Sequence, residues 1–392
     1  MKTPNTNSDP SLLILVAGIK GAIGTTLSLA VAAMRNRDAS ILNSLTTAAK
    51  FANLGDPFQV QIAGWDTHAD SIAEAIQRHG VVPESYWCPH APFLSHVEIG
   101  AAPPDNISLA DQVEVIKQDM RLYMAHYPTA QPVLVNLLPA AWDVTQLHRM
   151  ESLEELLKMK TPGIPDLAYA LSALLLGIPI VNFTPNSIEL PLICHEALQR
   201  GVPLAGRDGK TGQTFFKVVL ASAFKSRALY VDGWYSLNIL GNADGKNLMD
   251  PDRACGKLHN KTSLLDDILD YRVGEHYDES SHKVRIDYYP PRGDAKEAWD
   301  VIDFKGLFGL PMSLRLNLQG RDSILAAPMV LDLARWAAAL KNANISGPIA
   351  DLGFFFKKPV GPEPPLTFQD QLAALERLEK QITKRLPGVS EK

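Results

Sequence analysis

Apolar runs of strand length alternate with helically spaced segments through the first half of the chain. LLILVA, residues 12–17, has the length and unbroken hydrophobicity of a strand buried on both faces. GIKGAIG follows it at once, and then TTLSLAVAAMRN with helical spacing. QVQIAGWD, residues 59–66, predicts a second strand, THADSIAEAIQRHG a helix, DQVEVIKQDMRLYMAHY an amphipathic helix and PVLVNLLPA a third buried strand. Residues 85–106, rich in proline and aromatics without a clear period, read as a long loop. PDLAYALSALLLG is a helix opened by Pro165 and closed by Gly177, and IPIVNFTPNS is a strand running into a polar turn. LPLICHEALQRG and VPLAG complete the alternation, in which His195 reads as a core or surface residue. Strands alternating with helices in this order predict a parallel α/β sheet.

After Gly212 the pattern changes. FFKVVLASAFKS is helical, but RALYVDGWYSLNIL, KVRIDYYPPRG and PMSLRLNLQG alternate with the period of strands exposed on one face. These three runs predict a second, mixed or antiparallel sheet, of a kind that often pairs between subunits. RDSILAAPMVLDLARWAAALKNA is then a long helix, DLGFFFKKP an apolar segment carrying two lysines, and LTFQDQLAALERLEKQITKRL an amphipathic surface helix.

A chain of 392 residues exceeds one comfortable core, so two domains are expected. With 46% hydrophobic and 21% charged residues it has the composition of a globular protein and not of a disordered one. A net charge of -5 argues against nucleic acid as a partner, so any anion site must be a local cationic pocket. Cys88, Cys194 and Cys255 are widely spaced, with no CxxC pair, which fits a reducing compartment. The N-terminus lacks the basic-then-apolar order of a signal peptide, and no uninterrupted apolar run reaches the ~18 residues of a membrane span. A cytoplasmic protein without a membrane partner is expected.

Strand, glycine turn and helix in succession is the context of a phosphate-binding turn. Glycines let the backbone approach a diphosphate, and the helix start offers free N–H groups. The spacing here is GxxGxxG, with Gly18, Gly21 and Gly24. Asp66 closes the second strand, where an acidic residue takes ribose hydroxyls; it equally suits the cap of the following helix. Asn182, Thr184, Asn186 and Ser187 lie beyond a strand's carboxyl end, either to meet a cofactor or to cap the next helix. Asp208, Lys210, Thr211, Gln213, Asn238, Asn242, Asp244, Asn247, Lys257 and Lys261 crowd into a short span. Burying so many polar groups unpaired is costly, so the cluster reads as the lining of a site for a polyhydroxylated anion. Lys257 and Lys261 share one helix face if that stretch is helical, and Lys296 and Lys357 add cations beside glycine-rich or apolar sequence. A lysine ammonium can clamp phosphate, steady an alkoxide or enolate, or act as a base.

In order along the chain, GIKGAIGTTL, GWD, GVPLAGRDGKTGQT, NILGNADGKNL, KLHNKTSLLDD, GDAK and RDSILAAPMVLDL resemble the inositol-3-phosphate synthases. The likeness runs from Gly18 to FFFKKP, and the GQT and LGNxDGxNL segments are its most specific parts. It implies a Rossmann-type NAD-binding domain over 1–214 plus 324–392 and an inserted α+β catalytic and tetramerisation domain over 215–323. It also implies a sugar-phosphate substrate, glucose 6-phosphate, carried through oxidation, enolisation, intramolecular aldol closure and re-reduction. By matching position, Lys257, Lys261, Lys296, Lys357 and Asp208 would be catalytic, and Thr211, Gly212, Gln213, Asn238 and Asn242 would bind substrate. Gly18, Gly21, Ala22, Ile23, Gly24, Asp66, Asn186, Asp244 and Asp322 would hold NAD, and a homotetramer is expected.

The chain departs from the family pattern close to the site. GIKGAIG replaces GLGGNNG, Phe215 stands where the family has a lysine after GQT, and Ala243 turns GNND into GNAD. These changes bear on the sugar more than on the reaction class and leave open a sibling cyclase acting on a different sugar phosphate; a plain NAD-dependent dehydrogenase and a non-catalytic ligand-binding protein are the other readings.

Overall fold

A computed structural model describes residues 11–38, 54, 58–141, 145–160, 164–241, 245–246, 249 and 264–386. Seven strands form a parallel sheet: β1 (Leu12–Ala17), β2 (Val60–Asp66), β3 (Glu98–Ala101), β4 (Gln131–Asn136), β5 (Ile180–Asn182), β6 (Pro203–Gly206) and, far along the chain, β11 (Gly347–Pro348). Their order, β11-β6-β5-β4-β1-β2-β3, is the doubly wound order with one strand added beyond β6. The Rossmann-type expectation is met.

Every residue of β1 is buried because helices cover both faces. Leu12, Ile14 and Val16 pack toward α1 (Ala22–Arg35) and α7 (Asp322–Asn342), meeting Leu27, Val31, Val330 and Trp336. Leu13, Leu15 and Ala17 pack toward α3 (Leu109–His126) and α4 (Asp166–Leu176), meeting Val113, Ile116, Leu167 and Leu171. The neighbours α2 (Ile72–His79) and α5 (Pro191–Gln199) complete the layers, and His195 is exposed on α5.

Two elements correct the sequence reading here. β3 lies inside the stretch read as loop; it spans only four residues, none of them fully buried, so it leaves no hydrophobic signal. α7 is long and apolar enough for a membrane span, although no uninterrupted apolar run betrays it, because Asp332 and Arg335 break the run. In the fold those two side chains are buried and pair at 3.3 Å, and most of the helix packs inside the first layer.

The second sheet has the order β10-β9-β7-β8. It contains β7 (Tyr230–Leu240), β8 (His282–Tyr288), β9 (Ala295–Lys305) and β10 (Pro311–Arg321). β7 and β8 run parallel and the other pairs antiparallel, so the sheet is mixed. Helix α6 (Gln213–Ser226) and the helical residues 264–269 cover one face through Val218, Ala221, Phe224, Leu265 and Ile268 against Trp234 and Ile302. β9 is a central strand that three alternating runs did not reveal. Glu297 and Asp300 are among its buried residues, so charge stands where the pattern calls for hydrophobes. The last helix, α8 (Phe368–Arg385), is fixed by a capping box of Thr367 and Asp370.

Candidate active site

At the end of β1, Gly18 takes φ +83 and the chain turns into α1, whose N-cap Gly21 offers no side-chain cap. The first N–H groups of the helix are therefore available to an anion. A Cβ at Gly24 would lie 2.3 Å from the Ile19 carbonyl oxygen, so the helix can approach the turn only with glycine there. Ala22 and Ile23 form the first turn of α1. Asp66 stands against this turn: Oδ2 accepts the backbone N–H of Lys20 at 2.8 Å, and Oδ1 that of His68 at 3.1 Å. The capping alternative falls, because Ser71 caps α2 in a capping box with Glu74. Lys20, where the family pattern has glycine, is buried and folds away to donate from Nζ to the His68 carbonyl.

Residues 206–210 pair with 355–360 as an antiparallel ribbon, through Arg207 N to Lys358 O, Lys358 N to Arg207 O, Lys210 N to Phe355 O and Val360 N to Gly206 O. This ribbon sets Asp208 opposite Lys357, and the two side chains meet at 2.6 Å. Beside them, Asp322, the first residue of α7, accepts from Lys296 Nζ at 3.1 Å and from the Thr211 hydroxyl at 3.2 Å. Burial pushes the Asp322 carboxyl up, and the charges of Lys296 and Lys357 with the Thr211 hydroxyl outweigh it, holding it below the ordinary carboxylate range. Both lysines thus act on one carboxylate. Their side chains are 14% and 17% exposed, enough for a ligand to reach the ammonium groups.

Several expected side chains are turned inward. Gln213 donates to Asp300 Oδ2 at 2.9 Å and accepts from Asn238 Nδ2 at 2.5 Å. Asp300 also accepts from Trp234 Nε1 at 2.8 Å and Ser236 Oγ at 2.6 Å. The Gln213 and Asn238 amides therefore brace the floor of the second sheet. Gly212 caps α6 without a side-chain hydrogen bond, so the N–H groups at that helix start remain for a ligand. Asn186 is likewise buried: Nδ2 donates to Asp166 Oδ1 at 2.8 Å and to the Pro139 carbonyl at 2.9 Å, while Oδ1 accepts from Ala141 N at 2.8 Å. It ties the loops beyond β4 and β5 together, and its amide is spent inside the protein. Lys210, read as site lining, points instead into the seam with α8 and donates to the Gly353 carbonyl at 3.0 Å and Gln371 Oε1 at 2.8 Å. Burial pulls its ammonium down to about 7. Asn242, Asp244, Asn247, Lys257 and Lys261 lie outside the described residues.

Sequence reading missed Arg207 and Glu189. They line a cavity of about 450 Å³ together with Ser187, Lys357, Lys358 and Leu366. Their signal was present for Arg207, which stands inside GRDGKTGQT, and absent for Glu189, a lone carboxylate in an apolar run.

A glycine turn at the switch point of a doubly wound sheet, with paired lysines and carboxylates beyond β6, defines an enzyme of Rossmann-type fold with a cationic pocket. Residues 212–323 match the family model of myo-inositol-1-phosphate synthase. The chain is 33% identical to inositol-3-phosphate synthase 1 of Bacteroides thetaiotaomicron over 88% of its own length and 89% of that protein. It is 28% identical to inositol-3-phosphate synthase 1 of Bos taurus over 90% of its length and 74% of that protein. The fold matches the crystal structure of inositol-3-phosphate synthase from Caenorhabditis elegans with a TM-score of 0.83, at 21% identity, covering 97% of this chain and 87% of that one. The chain belongs to the inositol-3-phosphate synthase family.

Proposed function

We propose that the protein is an NAD-dependent cyclising isomerase that converts D-glucose 6-phosphate to 1D-myo-inositol 3-phosphate. The observation that carries this reading is the convergence of Lys296 and Lys357 on Asp322, with Asp208 holding Lys357. The glycine cradle fits a dinucleotide: the uncapped start of α1 would take the diphosphate, and Gly24 permits the close approach. The Asp66 carboxylate, with two backbone N–H groups upon it among the described residues, keeps lone pairs for ribose hydroxyls. When bound, NAD supplies a hydride acceptor, and afterwards a donor, at C5 of the sugar.

The chain's own residues would do the rest. Asp208 holds the Lys357 ammonium at one place, where its Nζ can give or take the proton of the C5 hydroxyl. Lys296, held by Asp322, would set a positive charge by the C1 carbonyl oxygen as the C6–C1 bond forms. Lys257 and Lys261 join this set through their places in the KLHNK motif. The outer face of the second sheet, on which Tyr235 and Trp299 are exposed, would serve subunit pairing in a homotetramer. The test is incubation with glucose 6-phosphate and substoichiometric NAD, followed by chromatographic separation of phosphorylated products. An inositol phosphate in many-fold excess over NAD is expected. Steady accumulation of NADH, or a cyclic product from another sugar phosphate alone, refutes the assignment in favour of a dehydrogenase or a sibling cyclase.

A further inference from the structure

One wall of the cavity beyond β6 is neither helix nor strand. Pro359, Val360, Gly361, Pro364 and Leu366 line the cavity, with Lys357 beside them. The last ribbon bond runs from Val360 N to Gly206 O, and residues 361–366 make no backbone–backbone hydrogen bond among the described residues. Pro362, Pro364 and Pro365 have no N–H to donate. A segment of this kind keeps its place only if another group takes up its carbonyls.

That group is the side chain of Gln371, near the start of α8. Its Nε2 donates to the Pro365 carbonyl at 3.3 Å and to the Leu366 carbonyl at 3.1 Å, and its Oε1 accepts from Lys210 Nζ at 2.8 Å. The partners fix which way the amide points, because an ammonium can only donate and a carbonyl can only accept. Lys210 also donates to the Gly353 carbonyl at 3.0 Å. A Cβ at Gly353 would lie 3.1 Å from Pro365 Cγ and 3.2 Å from Pro359 Cγ, so the prolines of the wall rest on that glycine.

Docking of α8 does not by itself call for an amide at this position. The other buried residues of the helix, Ala374, Leu375, Leu378 and Ile382, are apolar. Its start is held already by the Thr367 capping box, by Phe368 N donating to Ser222 Oγ at 2.9 Å, and by the Phe215 ring 5.9 Å from that of Phe368. Gln371 is 2% exposed, and burying an amide so fully is costly unless its groups are matched. The matches come from the wall and from Lys210.

We propose that Gln371 is a positioning residue of this cavity, holding the 361–366 wall so that the cavity keeps the shape its substrate fits. It touches no reacting atom and acts through Pro365 and Leu366. The identity of the substrate rests on the proposed function; the anchoring of the wall does not.

Gln371→Glu separates the two halves of the contact. A carboxylate still accepts from Lys210 but has no N–H for the Pro365 and Leu366 carbonyls. The full-length variant and wild type are compared by steady-state kinetics with glucose 6-phosphate at saturating NAD, and by NAD titration. Thermolysin nicking without substrate, with cuts before Leu366 and Phe368 mapped by mass spectrometry, reads the wall directly. The expected result is a KM raised roughly tenfold with kcat and NAD affinity little changed, and nicking faster by a similar factor. Ile382→Ala, which truncates a buried side chain further along α8, should lower the melting temperature and leave KM and nicking as in wild type. If Gln371→Glu does not fold, the double variant Lys210→Met, Gln371→Met removes ammonium and amide together and frees the same two carbonyls. An unchanged KM or an unchanged nicking rate in Gln371→Glu overturns the proposal, as does an equal rise of KM in Ile382→Ala. Faster nicking of Gln371→Glu, when wild type does not turn over glucose 6-phosphate, refutes the proposed function and upholds the anchor. Turnover by wild type with the same KM in Gln371→Glu does the reverse.

Discussion

Replacing Lys210 by methionine isolates the cost of one buried charge. Among the described residues its Nζ meets the Gly353 carbonyl and the Gln371 amide oxygen alone, and burial holds it at about 7 against 10.5 in a free side chain. A displacement of that size corresponds to about 5 kcal/mol between the charged and neutral forms. Between pH 7 and 10.5 the unfolded chain binds the proton that the folded chain has released, so this group makes stability rise with pH across that window. Below pH 7 both states are charged and the full cost of burial persists. The Lys210→Met protein loses two hydrogen bonds at all pH values, roughly 1–3 kcal/mol for each acceptor left unmet, but it has no such slope. Urea unfolding of both proteins, followed by tryptophan fluorescence from pH 7 to 10, should show the variant losing ground to wild type by several kcal/mol as pH rises. The other titrating groups are common to both proteins and cancel in the difference. A stability difference independent of pH would refute the reasoning, because Lys210 would then be charged in the fold.

Asp208→Asn should reduce kcat by roughly a hundredfold while NAD affinity changes little, and Asp322→Asn should reduce kcat similarly, since each frees a lysine from its fixed position; steady-state kinetics and NAD fluorescence titration check this. Gly24→Ala should weaken NAD binding and cost ~1–3 kcal/mol of stability, because its methyl group meets the Ile19 carbonyl. Glu189 is shifted the opposite way to Lys210: burial raises it from 4.5 to about 7, so the folded state holds its proton more tightly and stability falls as pH rises through that interval. Glu189→Gln should consequently gain about 3 kcal/mol on wild type between pH 4.5 and 8, measured by urea unfolding. Asp300→Asn should raise KM more than it lowers kcat, as the Gln213–Asn238 floor loosens.

The first sheet was legible because each of its longer strands is buried on both faces and followed by a helix, so β1, its glycine turn and α1 stand out by composition alone. β3 and β9 escaped for opposite reasons, one too short and partly exposed, the other carrying buried carboxylates. The two readings of Asp66 can be narrowed from sequence, since Ser71 and Glu74 already spell a capping box for the helix that Asp66 equally suits. What no local pattern discloses is which way a polar side chain turns. Gln213 faces inward because Asp300, 87 positions away, waits there, and Lys210 because Gln371 does, 161 positions on. A crowded polar segment reads as one lining, whereas the fold divides it between a ligand surface and the braces behind it.

The Asp208–Lys357 pair joins positions 149 apart, and the segment that carries Lys357 pairs with the 206–210 segment, laid down directly after β6. A growing chain therefore completes its first six strands and its glycine cradle well before it owns a working pocket. Contacts of such long range form late and slowly, because loop closure must precede the reward. Assembly of the pocket is thus a closing step of biogenesis, in which the C-terminal segment threads back along the 206–210 edge. A cut or truncation before Lys357 would leave the parallel strands β1 to β6 able to pair, with the glycine turn in place, but would remove the lysine that Asp208 meets. The final stretch of the chain thus decides whether the Asp208–Lys357 pair forms at all, far from the glycine turn.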